Sequence, residues 1–163
     1  MSLLHVMPEV LSRNLEMLKM HLADFSDQDM LVRPVPGANH VAWQLGHLAN
    51  SEHNMVNAVS PGATPPLPAG FAEKFNKETA KLDDAKAFPS KAEILDTLTK
   101  VRTASIAWVK TLSEADLQRP TPERLQRLAA TVEQMLILMP SHIAMHIGQI
   151  QVLRRKLGRP VMF

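Results

Sequence analysis

Cysteine and tyrosine are both absent from the 163 residues of this chain. Without cysteine there can be no disulfide, zinc ribbon, thiolate cluster or cysteine nucleophile, and a reducing cytoplasm is the compartment expected. Without tyrosine one common general acid is missing. An excess of charge of either sign is missing too. Eighteen Lys and Arg against sixteen Asp and Glu leave a net charge of +2, so the pI of about 9.1 is a weak argument for nucleic acid. No uninterrupted apolar run approaches the ~18 residues of a membrane span, and no membrane partner is expected. The start, Met1 to Pro8, lacks the basic region and small-residue cleavage site of a signal peptide. What remains is ordinary for a globular protein, 45% hydrophobic and 21% charged residues. A chain of this length is expected to form a single domain over 1–163 and to bury about two-thirds of its unfolded surface.

Glycine is scarce, with six residues against twelve prolines, and the prolines are clustered. Proline costs a helix interior ~3 kcal/mol, so the proline-free windows mark where helices can form. Leu4, Leu11, Leu15, Leu18, Leu22 and Phe25 make one apolar stripe, predicting a helix over about 8–24. Val41, Leu45, Leu48, Met55, Val56 and Val59 predict a second over 40–59. Ser90 and Glu93 form a capping box before a third stripe (Ile94, Leu98, Val101, Trp108), predicting 90–112. Thr131 and Gln134 repeat the capping pattern before a fourth helix over 131–157, with Gly158 placed to end it and Pro140 expected to kink or weaken it. No alternating β pattern is present. The fold class expected is therefore all-α, a four-helix bundle. Its second and third helices are joined by a long link over 60–89, with a short helix near 72–82. Helices of this size are ~30 Å long, so such a link implies a crossover rather than a hairpin.

The chain also repeats itself weakly. Phe25-Ser-Asp-Gln-Asp29 and Leu112-Ser-Glu-Ala-Asp116 each follow a helix, and each leads on to a helix carrying a small residue, His, an aliphatic and Ala: Gly46 to Ala49 and Ser141 to Ala144. The repeat makes His47 and His142 counterparts. His142 and His146 lie four apart on one helix, about 40° around the axis, so both rings project from one face and can bite one metal ion. The same spacing also suits two core histidines bonded to backbone or to each other. Trp43, His47, Asn50 and Asn54 share a strip on the second helix, either a solvated face or a pocket wall with His47 as third ligand. His5, His21, His40 and His53 show no convergence and are expected at the surface. The Arg154, Arg155, Lys156 and Arg159 cluster suits the negative end of a helix dipole.

Three stretches together resemble a known family. They are Leu31-x-Arg33-Pro34-x-Pro36-Gly37, then Val41-x-Trp43-x-x-Gly46-His47-Leu48-Ala49, and His142-x-x-x-His146-x-Gly148-Gln149-Ile150. The pattern is similar to the DinB-like (YfiT-like) superfamily. The resemblance implies a four-helix bundle with a divalent ion held by His47, His142 and His146, a homodimer, and metal-assisted thiol chemistry. The family members with a worked-out activity are bacillithiol S-transferases and mycothiol-dependent isomerases, and others are metal-dependent hydrolases. The isomerases replace the first histidine of the helix-four pair with glutamate, which this chain does not do.

Three neutral imidazoles leave a coordination position open, and zinc or nickel suits them. Such an ion can activate either a water or an incoming thiol. Few carboxylates lie near the triad in sequence. Glu52 falls about 140° around the helix from His47, and Glu133 faces away from His142. The expectation is therefore a thiol S-transferase acting on a small-molecule substrate with a low-molecular-weight thiol, ahead of a hydrolase. A non-catalytic metal- or ligand-binding bundle is the alternative. Gln149, Asn50 and Glu52 are the candidate neighbours of the ligands, and Trp43 is expected to pack rather than to stack on substrate.

Overall fold

A computed structural model describes residues 2–162. Four long helices dominate: α1 (Leu3–Leu22), α2 (Val41–Val59), α3 (Lys91–Val109) and, after two single-turn helices α4 (Glu114–Leu117) and α5 (Glu123–Gln126), α6 (Val132–Lys156). Among the described residues there is no strand, only an isolated bridge between Pro120 and Thr131. The fold is an all-α four-helix bundle of α1, α2, α3 and α6.

The apolar stripes account for which faces pack. Leu11, Leu15, Leu18 and Leu22 of α1, Leu45 and Leu48 of α2, Ile94, Leu98 and Val101 of α3, and Met135, Met139, Ile143, Ile147 and Ile150 of α6 are all buried. The core separates into two clusters along the bundle. One joins the end of α1, the start of α2, the start of α3 and the end of α6, and the other joins the four opposite ends. It follows that α2 and α3 run parallel to each other and antiparallel to α1 and α6. Helices α2 and α3 pack directly on one another, as α1 does on α3 and on α6. A parallel pair cannot be joined by a hairpin, so the link from Ser60 must return the whole length of the bundle. It does so through three 3-10 turns, Ala72–Phe75, Thr79–Lys81 and Ala85–Ala87, in place of the single short helix expected over 72–82. Asn76 breaks that run, its Oδ1 accepting from the N–H groups of Glu78 and Thr79 at 2.9 and 3.0 Å. Buried Phe71, Phe75 and Phe88 pin the link to the bundle.

Helix boundaries differ from expectation at two places. Helix α1 begins at Leu3 rather than Pro8, because the Ser2 hydroxyl accepts from the Leu4 N–H and Pro8 is absorbed in the second turn. Helix α3 stops at Val109 rather than 112, and the chain tightens there into turns at Thr111 and Leu112. Helix α6 runs unbroken through Pro140 and ends as expected, with Gly158 at φ +65° in the left-handed region that glycine adopts freely. It is the one described helix long and apolar enough to cross a membrane by length and composition, and ten of its residues are buried against the bundle.

The repeated turn is real in three dimensions. At Ser26 and Asp29 the serine hydroxyl and N–H both donate to the carboxylate at 2.7 Å, and Ser113 and Asp116 reproduce the arrangement at 2.6 and 2.8 Å. Each turn follows a long helix and redirects the chain to the far corner of the bundle.

Candidate metal centre

Helices α2 and α6 lie antiparallel, and His47 in the second turn of α2 faces the middle of α6 across their seam. There His142 and His146 sit one helical turn apart. Nitrogens of the three rings all lie within 4.8 Å of one another. Ring centroids are 5.2 Å apart for His47 and His142, 5.9 Å for His47 and His146, and 5.0 Å for His142 and His146. His146 is buried, and His47 and His142 are half-buried and open to solvent on one side. Their four-residue spacing on α6 brings His142 and His146 to one face, and the bundle places His47 opposite.

Burial holds all three rings neutral. It lowers the pKa of His47, and burial together with the neighbouring rings takes His142 down to about 4 and His146 down to about 3. Neutral imidazoles are the form that binds metal. The Nε2 atoms of His142 and His146 stand 3.3 Å apart. Two nitrogens each ~2.05 Å from a tetrahedral ion would be separated by about 3.3 Å. The His142 and His146 pair therefore has the spacing that a divalent ion of zinc's size would need, and His47 brings a third nitrogen within 4.8 Å of them.

Neighbouring residues fix the rings. Trp43 stacks on His47 with centroids 4.8 Å apart and planes 7° from parallel. Its indole N–H donates to the Asn76 carbonyl at 2.9 Å, which ties the crossover link to the ring beneath. Trp43 thus packs, as expected. The amide of Gln44 takes the role that sequence spacing offered to others: its Oε1 lies 2.9 Å from His146 Nδ1. Gln149 is exposed on α6, beside Pro34, Val35 and Asn39, and Asn50 is engaged by Asn54 at 3.0 Å. Glu52 is buried in an ion pair with Arg102 at 2.6 Å. None of these three joins the cluster, which among the described residues holds no carboxylate. Gln44 was missed because it reads as one more residue in the first turn of α2. Only the close approach of α6 reveals what it faces.

Two of the four histidines expected at the surface are buried instead. His21 continues the Leu18 and Leu22 stripe, and its Nδ1 lies 2.7 Å from the Met17 carbonyl. His40 caps α2: its Nδ1 accepts from the Trp43 N–H at 3.1 Å and its Nε2 faces the Leu82 carbonyl. His5 is exposed and His53 half-buried. The basic cluster also does more than meet a helix dipole. Arg154 is buried against Asp24 at 2.6 Å and Arg159 pairs with Asp29 at 2.6 Å, both over the Phe25 ring.

A bundle with a long parallel crossover and three histidines between its second and last long helices defines a class, and sequence comparison agrees with it. The model of the DinB superfamily matches residues 11–150, and the chain belongs to that superfamily. Two solved structures share its fold. A conserved protein from Enterococcus faecalis superposes with a TM-score of 0.74 at 21% identity, covering 98% of this chain and 99% of that one. YfiT from Bacillus subtilis, described as a probable metal-dependent hydrolase with an unusual four-helix bundle topology, superposes with a TM-score of 0.69 at 20% identity, covering 98% and 91%. No curated protein matches the chain in sequence.

Proposed function

We propose that this protein is a metal-dependent enzyme in which His47, His142 and His146 hold one divalent ion, zinc or nickel, and that it transfers a low-molecular-weight thiol of the bacillithiol type onto a small electrophile. The observation that carries the reading is the convergence of three neutral imidazoles at a solvent-reached seam without a carboxylate among them. Bound there, an ion of this kind supplies Lewis acidity that lowers the pKa of a thiol or water at its open position. The chain's own contribution is to hold the rings neutral by burial, to orient them through Trp43 and Gln44, and to keep the seam open beside His47 and His142. A thiol needs no protein base once its proton has passed to solvent, whereas water attacking an ester benefits from one. Glu52, the candidate base in α2, is committed to Arg102. Hydrolysis is the second reading, favoured by the description of YfiT. A cytoplasmic setting, where such thiols stay reduced, belongs to the proposal.

We also propose a homodimer, built on the outer face of α6. That helix has no charged residue between Glu133 and Arg154, yet Ile137, Met145 and Val152 are 51%, 60% and 44% exposed. A second copy laid antiparallel about Ala144 would bring Glu133 of each protomer to Arg155 of its partner.

The test of the activity is thiol consumption with a chlorodinitrobenzene electrophile, using protein loaded with zinc or nickel. Metal-dependent loss of thiol that disappears in His146→Ala is expected. Ester hydrolysis at the same rate with and without thiol would favour the hydrolase.

A further inference from the structure

We infer that Gln44 is a positioning residue that sets which nitrogen of His146 is free. Its use to the protein rests on the metal-site reading above, but the geometry stands without it. Gln44 is fully buried, and both ends of its amide are committed. The Nε2 group donates to the Asn39 carbonyl at 2.6 Å, an oxygen that can only accept, so the amide cannot be turned around without facing two oxygens together. Its Oε1 is thereby pointed at His146 Nδ1, 2.9 Å away. An amide oxygen also can only accept, so Nδ1 must carry the ring's proton. In a neutral imidazole the lone pair then lies on Nε2, the atom that faces His142 Nε2 at 3.3 Å.

The anchor is itself held. Asn39 precedes His40, whose ring accepts from the Trp43 N–H and meets the Leu82 carbonyl of the crossover link. Backbone carbonyl, amide, ring and cluster form a chain in which each link has one allowed assignment of donor and acceptor. Without Gln44, the buried Nδ1 would have no partner, and the ring would be free to carry its proton on Nε2, where it blocks coordination. Outer hydrogen bonds of this kind change metal affinity by about 10–100-fold when removed. In the metal-free protein the same logic gives His142 the complementary form, its Nε2–H donating to the bare Nε2 of His146. Loading a metal therefore moves the proton of His142 and leaves that of His146 in place.

The experiment has two arms. Nitrogen-15 spectra of histidine-labelled, metal-free protein at mildly alkaline pH report the tautomer of each ring, and the His146 ring is expected with its proton on Nδ1. In Gln44→Met, which keeps the length of the side chain without the amide, that ring is expected to shift towards the Nε2–H form. Zinc affinity, measured by competition with a chromophoric chelator, is expected to fall about 10–100-fold while helicity is retained. A wild-type His146 protonated on Nε2 would overturn the inference, as would a Gln44→Met variant with an unchanged tautomer and unchanged affinity. If Gln44→Met does not fold, the wild-type tautomer still decides. Wild-type protein with the Nδ1–H form that takes up no zinc would sustain the role of Gln44 and remove the metal-site reading.

Discussion

Gly46 immediately precedes His47, and the reason it is glycine lies outside its own helix. A Cβ built on it would stand 2.2, 2.3 and 2.4 Å from Cε1, Cζ and Cδ1 of Phe75. Carbon atoms in contact rest about 3.5–4.0 Å apart, so in Gly46→Ala the phenyl ring must retreat by more than an ångström. It has little room to do so. Phe75 is 2% exposed, with the Phe71 ring 4.7 Å away and the Phe88 ring 5.9 Å away. Overpacking of this kind costs about 1–3 kcal/mol, and alanine returns about 1 kcal/mol of helix propensity, leaving a net loss of about 0–2 kcal/mol. At about 2–4 °C per kcal/mol for a domain of this size, the melting temperature drops by at most about 8 °C. A single small loss could have many causes, so the decisive assay is a double-mutant cycle with Phe75→Leu, which removes Cε1 and Cζ. In urea unfolding followed by circular dichroism, the double variant should be about 1 kcal/mol or more stabler than the sum of the singles predicts. Additivity to within about 0.5 kcal/mol, or a Gly46→Ala variant more stable than wild type, would refute the reasoning.

Three further outcomes are expected. The side chains of Arg102 and Glu52 are 0% and 4% exposed, so Glu52→Ala should cost about 3–5 kcal/mol in urea unfolding, whereas Glu52→Leu with Arg102→Met should cost far less. Burial lowers the pKa of His40, of His142 to about 4 and of His146 to about 3, so the folded protein binds fewer protons than the unfolded chain below its ordinary histidine pKa of about 6.5. Stability of the metal-free protein is then fully present above about pH 6.5 and is lost as pH falls from there to about 3, and a urea midpoint that rose on acidification over that window would contradict the sign. The α6 seam predicts a dimer by light scattering, and an Ala144→Cys variant, in a chain otherwise free of cysteine, should oxidise to a disulfide-linked dimer, while Met145→Arg should be monomeric.

The helices were legible because proline-free windows and 3.6-residue stripes are local properties. Pro8 misled because proline usually opens a helix, whereas here the Ser2 cap had already started one. The pairing of His142 with His146 was likewise local, four residues on one helix. The third member was visible only through the repeat and the resemblance, since nothing near His47 in sequence points across the bundle. Of the residues that orient the rings, Trp43 was legible one turn before His47, and Gln44 was not. Gln149 shares a heptad relation with His142 but turns to solvent, while Gln44 acts across 102 positions of sequence through a contact that exists only once α2 and α6 have packed. The burial of His21 and His40 was hidden for the same reason. One nitrogen of each ring meets a backbone carbonyl, Met17 for His21 and Leu82 for His40, and no residue pattern announces that.

If the proposed function holds, His47, His142 and His146 together bind one divalent ion. Elemental analysis with an anomalous scattering scan on crystals of the purified protein tests it most directly, with His146→Ala alongside. One ion per chain is expected, ~2.0–2.2 Å from a nitrogen of each ring, and it should be lost from a His146→Ala protein that still folds. An ion bound elsewhere, or one ion per chain retained by His146→Ala with unchanged affinity, would contradict it.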